Sequence, residues 1–135
     1  MDLAKRKTLI EALATQSEPQ VVEINRFFDG NDDEGSIGCN LSEHPGIDAF
    51  RTTFERIAQR GDVQAIYARI TELDPGEDSW PFVDTVFVVG TISSDELAAE
   101  LAELEPDEVG DGDDFGVPAG VESSPKAPVL AAWWD

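Results

Sequence analysis

A hairpin signal in the middle of the chain constrains the fold more than any other feature. Residues 82–89 form a run of β-branched and aromatic side chains, which is typical of a well-buried strand. Residues 62–72 alternate apolar and polar side chains, and the turn-forming Asp74-Pro75-Gly76 lies between the two segments. The sequence therefore predicts two antiparallel strands joined by this turn.

Two helices are predicted from the spacing of apolar residues. The first carries an apolar stripe formed by Ile47, Phe50, Phe54 and Ile57. Pro45 fits its first position, and Gly61 fits its C-terminal stop. Ser93 and Glu96 have the spacing of a capping box, which opens a second helix that Pro106 ends.

The remaining segments complete the predicted order of elements. Residues 1–19 fit an N-terminal helical extension, with the helix itself over residues 2–16. Val21–Phe28 is apolar on both faces, which predicts an interior strand. Residues 106–128 are acidic and rich in Pro and Gly, so we expect a long loop there. The apolar segment 129–134 predicts a last strand.

After the first helix the order is β-α-β-β-α-β, which is the ferredoxin-like split βαβ arrangement. We therefore expect one α+β domain over residues 1–135. It would contain a four-stranded antiparallel sheet, two helices on one face and an extra N-terminal helix. Another α+β strand order is the alternative. The open face of the sheet would be covered by the N-terminal helix, by the loop or by a second subunit in a homodimer.

The formal net charge of −20 excludes several classes of partner. It opposes binding to nucleic acid backbones and to anionic membrane surfaces. It favours solubility, and it would steer a basic protein towards the chain. The single cysteine excludes an internal disulfide, and no segment reaches the ~20 apolar residues that a membrane span needs. We therefore expect a cytoplasmic protein.

Residues 29–40 form a glycine-rich acidic loop, which we predict to be the functional site. The residues expected to bind a partner or a cation are Asp29, Asn31, Asp32, Asp33 and Glu34. The pattern disfavours an EF-hand, because position 6 of the register that starts at Asp29 is Glu34 rather than Gly, and position 12 is Asn40 rather than Glu. A looser, weak site for a divalent cation is the alternative to a solvated turn. No other cofactor is expected.

Four further residues have chemistry that a site could use. Cys39 and His44, which lie beside the acidic loop, are the only thiol and the only imidazole. The surrounding carboxylates disfavour a reactive thiolate, and two such ligands are too few for a stable zinc site. Trp133 and Trp134 could anchor an interface or pack on the sheet, and the sequence leaves both readings open.

The chain resembles a family of small acidic bacterial proteins of no assigned function. The resemblance rests on FFDGNDDEGSIGCNL at 27–41, HPG at 44–46 and the terminal WWD. It extends over most of the chain from Val21 onward and implies no activity. A looser similarity of size and charge links the chain to immunity proteins that neutralise basic nuclease toxins.

Two functional hypotheses follow from these observations. The first is a non-enzymatic binding protein whose acidic surface engages a basic protein partner, with the immunity or inhibitor type as its most specific form. The alternative is a small metal-dependent or thiol enzyme with its site at the acidic loop. That enzyme would require the loop acids and His44 to converge in a pocket.

Overall fold

The computed structural model describes residues 1–121 and 127–134, in which a five-stranded antiparallel sheet packs against helices. The strands are β1 (Val21–Glu23), β2 (Val63–Glu72), β3 (Phe82–Gly90), β4 (Glu108–Asp111) and β5 (Val129–Trp133). The helices are α1 (Leu3–Leu13), α2 (Ile24–Phe28), α3 (Ile47–Ala58) and α4 (Ser94–Leu101). The sheet order is β1-β2-β3-β5-β4, so β1 and β4 are the edge strands. The α+β class is confirmed.

The predicted hairpin is confirmed and forms the middle of the sheet. β2 and β3 pair antiparallel, with Ile66 opposite Val88. On its other side β3 pairs with β5, with Val88 opposite Leu130. Val86, Phe87 and Val88 are completely buried, as their β-branched and aromatic character predicts for a strand covered on both faces.

The ferredoxin-like arrangement is wrong, because most of the predicted first strand is helical. β1 ends at Glu23, and α2 follows directly. Ile24, Phe27 and Phe28 are spaced by three and four residues, so one helical face carries all three into the core. β1 is consequently short, and it lies at an edge of the sheet beside β2 rather than in the interior.

The predicted apolar stripe of helix α3 is confirmed, since all four apolar residues on that face are buried. The helix begins at Ile47 after Gly46, whose φ of 98° favours glycine, so Pro45 precedes the helix instead of starting it. The capping box of α4 is also confirmed, with Ser93 Oγ accepting a hydrogen bond from the Glu96 N–H. These helices cover one face of the sheet and enclose the larger core cluster.

The segment 106–128 contains structure that the sequence analysis does not predict. It includes the edge strand β4 and a 3-10 turn over Gly112–Phe115. Phe115, Val117 and Val121 pack against Phe87 and its neighbours, so this segment covers part of the second face of the sheet. The 3-10 turn lies against β5 so closely that a Cβ at Gly112 would be 2.8 Å from the Val129 carbonyl oxygen.

Helix α1 lies across the turn that joins β2 and β3. Asp2 caps its N-terminus by accepting a hydrogen bond from the Lys5 N–H. The Arg6 guanidinium binds the turn through the Ser79 carbonyl oxygen and the Asp74 carboxylate, each at 2.7 Å. Among the described residues, no helix has the length and apolar character needed to cross a bilayer.

Candidate functional site

The acidic loop, residues 29–40, is a folded connection that joins α2 to α3 and is anchored in the core. Ile37 is fully buried and forms a parallel bridge with Val83 of β3. The Ser36 carbonyl oxygen accepts a hydrogen bond from the Val83 N–H at 2.8 Å. The loop is therefore held against the sheet, which restricts the directions in which its acidic side chains can point.

Asn31 and Asp33 satisfy backbone and side-chain groups inside the protein. The buried Asn31 donates to Ser36 Oγ and accepts from the Asp33 N–H. The Asp33 carboxylate accepts one hydrogen bond from the Gly35 N–H and another from the Trp80 N–H, each at 2.9 Å. Both residues hold the loop together, and Asp33 also joins it to the segment between β2 and β3.

The other three acids of the loop lie beside three separate nitrogen groups of the same chain: two ammonium groups and one imidazole. Asp29 binds Lys5 Nζ at 2.6 Å, and this hydrogen bond raises the pKa of the Lys5 ammonium. Asp32 lies 2.8 Å from the α-ammonium of Met1, and Glu34 lies 3.8 Å from His44 Nδ1. Across residues 1–121 and 127–134, no three His, Cys, Asp or Glu side chains are grouped so that they could hold a metal ion.

His44 is occupied by backbone groups on both sides of its ring. Nδ1 accepts a hydrogen bond from the Gly46 N–H at 2.9 Å, and Nε2 lies 2.8 Å from the Ile37 carbonyl oxygen. A neutral ring with its proton on Nε2 satisfies both contacts. Cys39 is exposed, and neither nitrogen of His44 is left to act on its thiol. This geometry gives the thiol-enzyme alternative no support.

The two terminal tryptophans differ in burial. Trp134 is only 1% exposed, packs edge-on against Phe50 and Phe54, and donates from its indole nitrogen to the Leu104 carbonyl oxygen. Trp134 is therefore a core residue and offers no surface for a partner. Trp133 is half-buried on β5, directly opposite Glu108 of β4.

A second concentration of negative charge lies where the sequence analysis predicts only a loop. We call it the acidic edge, and its members are Glu105, Glu108, Asp111, Asp113 and Asp114. All five side chains are exposed, and within the described ranges none of them forms an ion pair. They lie on and beside the edge strand β4, so these five side chains place negative charge at this end of the sheet without an ion pair in the described residues.

A signal for the acidic edge is present in the sequence. Residues 70–125 contain sixteen acidic residues and no Lys or Arg, whereas residues 1–69 contain twelve acidic and eight basic residues. This long absence of basic residues indicates an excess of negative charge. Four acids of the segment are nevertheless paired with arginines of residues 1–69: Asp74, Asp84, Glu96 and Glu100.

Helix α4 shows how neighbouring acids become compensated. The Arg60 guanidinium binds Asp62 and also reaches Glu96 of α4 at 2.6 Å. The hydrogen bond from Arg60 lowers the pKa of Asp62. Arg56 lies 3.6 Å from Glu100. Arg56 of α3 and Arg60, which follows α3, thus pair with acids of α4. Neither arginine reaches the acidic edge.

Comparison with known proteins identifies the family. The family described as "Uncharacterized protein YfbO family" matches residues 4–132. The chain belongs to this family. An Escherichia coli (strain K12) relative named "Uncharacterized protein YfbO" is 29% identical over 117 residues, which are 85% of this chain and 82% of that protein. No solved structure gives a significant match. The YfbO match includes α1, which lies outside the motifs on which the predicted resemblance rests.

Proposed function

We propose that the protein is a non-enzymatic binding protein whose acidic edge engages a basic protein partner. The observation that carries this proposal is the set of five exposed carboxylates at the β4 end of the sheet, which have no counter-cation among the described residues. The proposal keeps the partner class inferred from the net charge. It moves the binding surface from the acidic loop to the acidic edge.

The acidic loop is less suited to binding a basic partner. Asp33 is already an acceptor for two backbone N–H groups, and Asp29 and Asp32 are paired with cations of the same chain. A partner's Lys or Arg would have to displace these contacts. At the acidic edge Asp111 accepts one hydrogen bond, from the Asp113 N–H. The other four carboxylates have no such contact among the described residues, so a partner would displace mainly water and counterions there.

Trp133 supplies an aromatic neighbour for this surface. It is half-buried and lies opposite Glu108, so the two side chains are cross-strand neighbours. An arginine from a partner could form an ion pair with Glu108 while its guanidinium lies over the indole ring. This combination favours arginine-rich basic proteins as partners, and an inhibitor of the immunity type acting on a basic nuclease is its most specific form.

A purely structural role for the same charges has a different consequence. Charged side chains on an edge strand discourage edge-to-edge association between protein molecules. If this were their whole role, neutralising them would promote aggregation and would leave binding to other proteins unchanged. The two roles can therefore be separated by experiment.

The test compares two variants that lose the same charge at different places. Glu105→Gln/Glu108→Gln/Asp114→Asn changes the acidic edge, and Glu18→Gln/Glu43→Gln/Glu72→Gln changes three exposed acids elsewhere. Each immobilised protein is used to capture partners at about 50 mM salt, followed by elution with a salt gradient. A captured protein is then purified, and its affinity is measured for the wild type, for the acidic-edge variant and for the control variant.

We expect a basic partner that salt releases and that the acidic-edge variant binds roughly tenfold or more weakly than the control variant does. Equal weakening in both variants would mean that the net charge, and not the acidic edge, determines binding. Failure to recover any salt-released basic partner would overturn the proposal.

A further inference from the structure

Arg26 differs from the other basic side chains in having no acidic partner. In the described part of the chain, the other seven Lys and Arg side chains each lie 3.9 Å or less from a carboxylate. Arg26 is exposed and makes neither an ion pair nor a hydrogen bond there. A protein with 29 acidic residues has no shortage of partners, so an unpaired arginine is a notable exception.

Arg26 lies beside a cleft in the protein surface. Arg26 lines a cleft between α1 and α2, which we call the α1–α2 cleft and which has a volume of about 350 Å³. Such a volume is within the range of small-molecule sites. Ala4 and Leu9 form an apolar wall, and the charged rim consists of Asp2, Lys5, Arg26 and Asp29.

The rim offers both signs of charge in equal number. Asp29 uses Oδ1 for Lys5 Nζ, and Asp2 uses Oδ1 for the Lys5 N–H. The second carboxylate oxygen of each has no hydrogen bond among residues 1–121 and 127–134. The residues that line the cleft therefore supply two carboxylates that each have an open oxygen, a guanidinium without an ion pair in the described chain, and an apolar wall.

We propose that the α1–α2 cleft binds a zwitterionic amino acid with an apolar side chain. Its carboxylate would accept bidentate hydrogen bonds from the Arg26 guanidinium. Its ammonium would lie between the open oxygens of Asp2 and Asp29, and its side chain would pack on Ala4 and Leu9. The net charge of −20 repels a simple anion, whereas a zwitterion has no net charge to be repelled.

The test uses L-leucine and L-phenylalanine as probes, with binding followed by ligand-observed NMR and by thermal unfolding. Two analogues of leucine each lack one charge: 4-methylpentanoate has no ammonium, and 3-methylbutylamine has no carboxylate. The protein variants are Arg26→Gln and, as a matched control, Arg56→Gln. Arg56 is an exposed arginine of α3 that does not line this cleft.

We expect saturable binding of at least one amino acid to the wild type and to Arg56→Gln. Arg26→Gln should weaken it roughly tenfold or more, because a charge-assisted hydrogen bond is lost. Both analogues should bind more weakly than L-leucine. Unchanged binding to Arg26→Gln, equal binding of 4-methylpentanoate, or no saturable binding of either amino acid would each overturn the proposal. None of these outcomes depends on the acidic edge.

Discussion

The acidic loop and the acidic edge are alike in composition and opposite in physical state. The loop has four carboxylates between Asp29 and Glu34, and each of them faces a cation, an imidazole or backbone N–H groups of the same chain. The acidic edge has five exposed carboxylates without an ion pair in the described residues. Asp33 is therefore part of the framework, and the other loop acids are engaged within the chain at the surface, whereas the acidic edge presents charge to solvent without an ion pair.

This difference shows that the density of acids along a sequence is a poor guide to a binding surface. A carboxylate that accepts hydrogen bonds from its own chain is satisfied and has little left to offer a partner. A carboxylate without a counter-charge keeps its full attraction for an incoming cation. What distinguishes the two is the position of the basic residues, eight of which lie in residues 1–69.

The largest effect that would test this comparison is expected at Asp33. Asp33→Ala removes the acceptor for the Gly35 and Trp80 N–H groups, and we expect it to lower the free energy of unfolding by about 2–4 kcal/mol. Asp113→Ala at the acidic edge should change it by less than about 0.5 kcal/mol. Urea unfolding of both variants measures the difference. Equal losses would show that the two regions are not distinct.

A smaller effect of opposite sign is expected when charge is removed from the acidic edge. The variant Glu105→Gln/Glu108→Gln/Asp114→Asn relieves repulsion between like charges, so it should be more stable than the wild type by up to about 1 kcal/mol at low salt. Screening at about 1 M salt should abolish this gain. The loss caused by Asp33→Ala should persist in salt, because it comes from hydrogen bonds. A destabilised triple variant would mean that the edge carboxylates have unrecognised structural partners.

The smallest effect is expected from the exposed pair of Lys5 and Asp29. The pKa of Lys5 is raised in the folded protein, so the pair stabilises the fold fully below the unfolded-state pKa of about 10.4. This contribution is lost as the pH rises through the folded-state pKa. We therefore expect Asp29→Asn to be less stable than the wild type at about pH 8 and equally stable once Lys5 is neutral.

Unfolding measured across this pH range, with Glu105→Gln as the matched control, checks this expectation. The stability difference between Glu105→Gln and the wild type should stay constant, because in the described chain Glu105 has no lysine partner whose titration could change it. A difference for Asp29→Asn that is independent of pH would mean that the pair with Lys5 does not stabilise the fold.

Short-range sequence patterns predict the elements of the fold that depend on interactions between residues close together in the sequence. The stripe of α3 and the capping box at Ser93 depend on residues within a few positions of one another, and both are confirmed. Ile24, Phe27 and Phe28 also have helical spacing, but they lie in a run of apolar residues that resembles a strand, and the strand prediction was wrong there. Strand β4 has only one large apolar residue, Val109, and it forms because β5 returns to pair with it.

The sequence by itself determined the α+β class, the central hairpin and the excess of negative charge, because periodicity and composition act through nearby residues and through totals. The tertiary structure decided which acids are compensated. Lys5 meets Asp29 from 24 positions away, and the Trp80 N–H meets Asp33 from 47 positions away. Such contacts depend on how α1 and the β2–β3 turn pack around the acidic loop, and no local pattern encodes that packing.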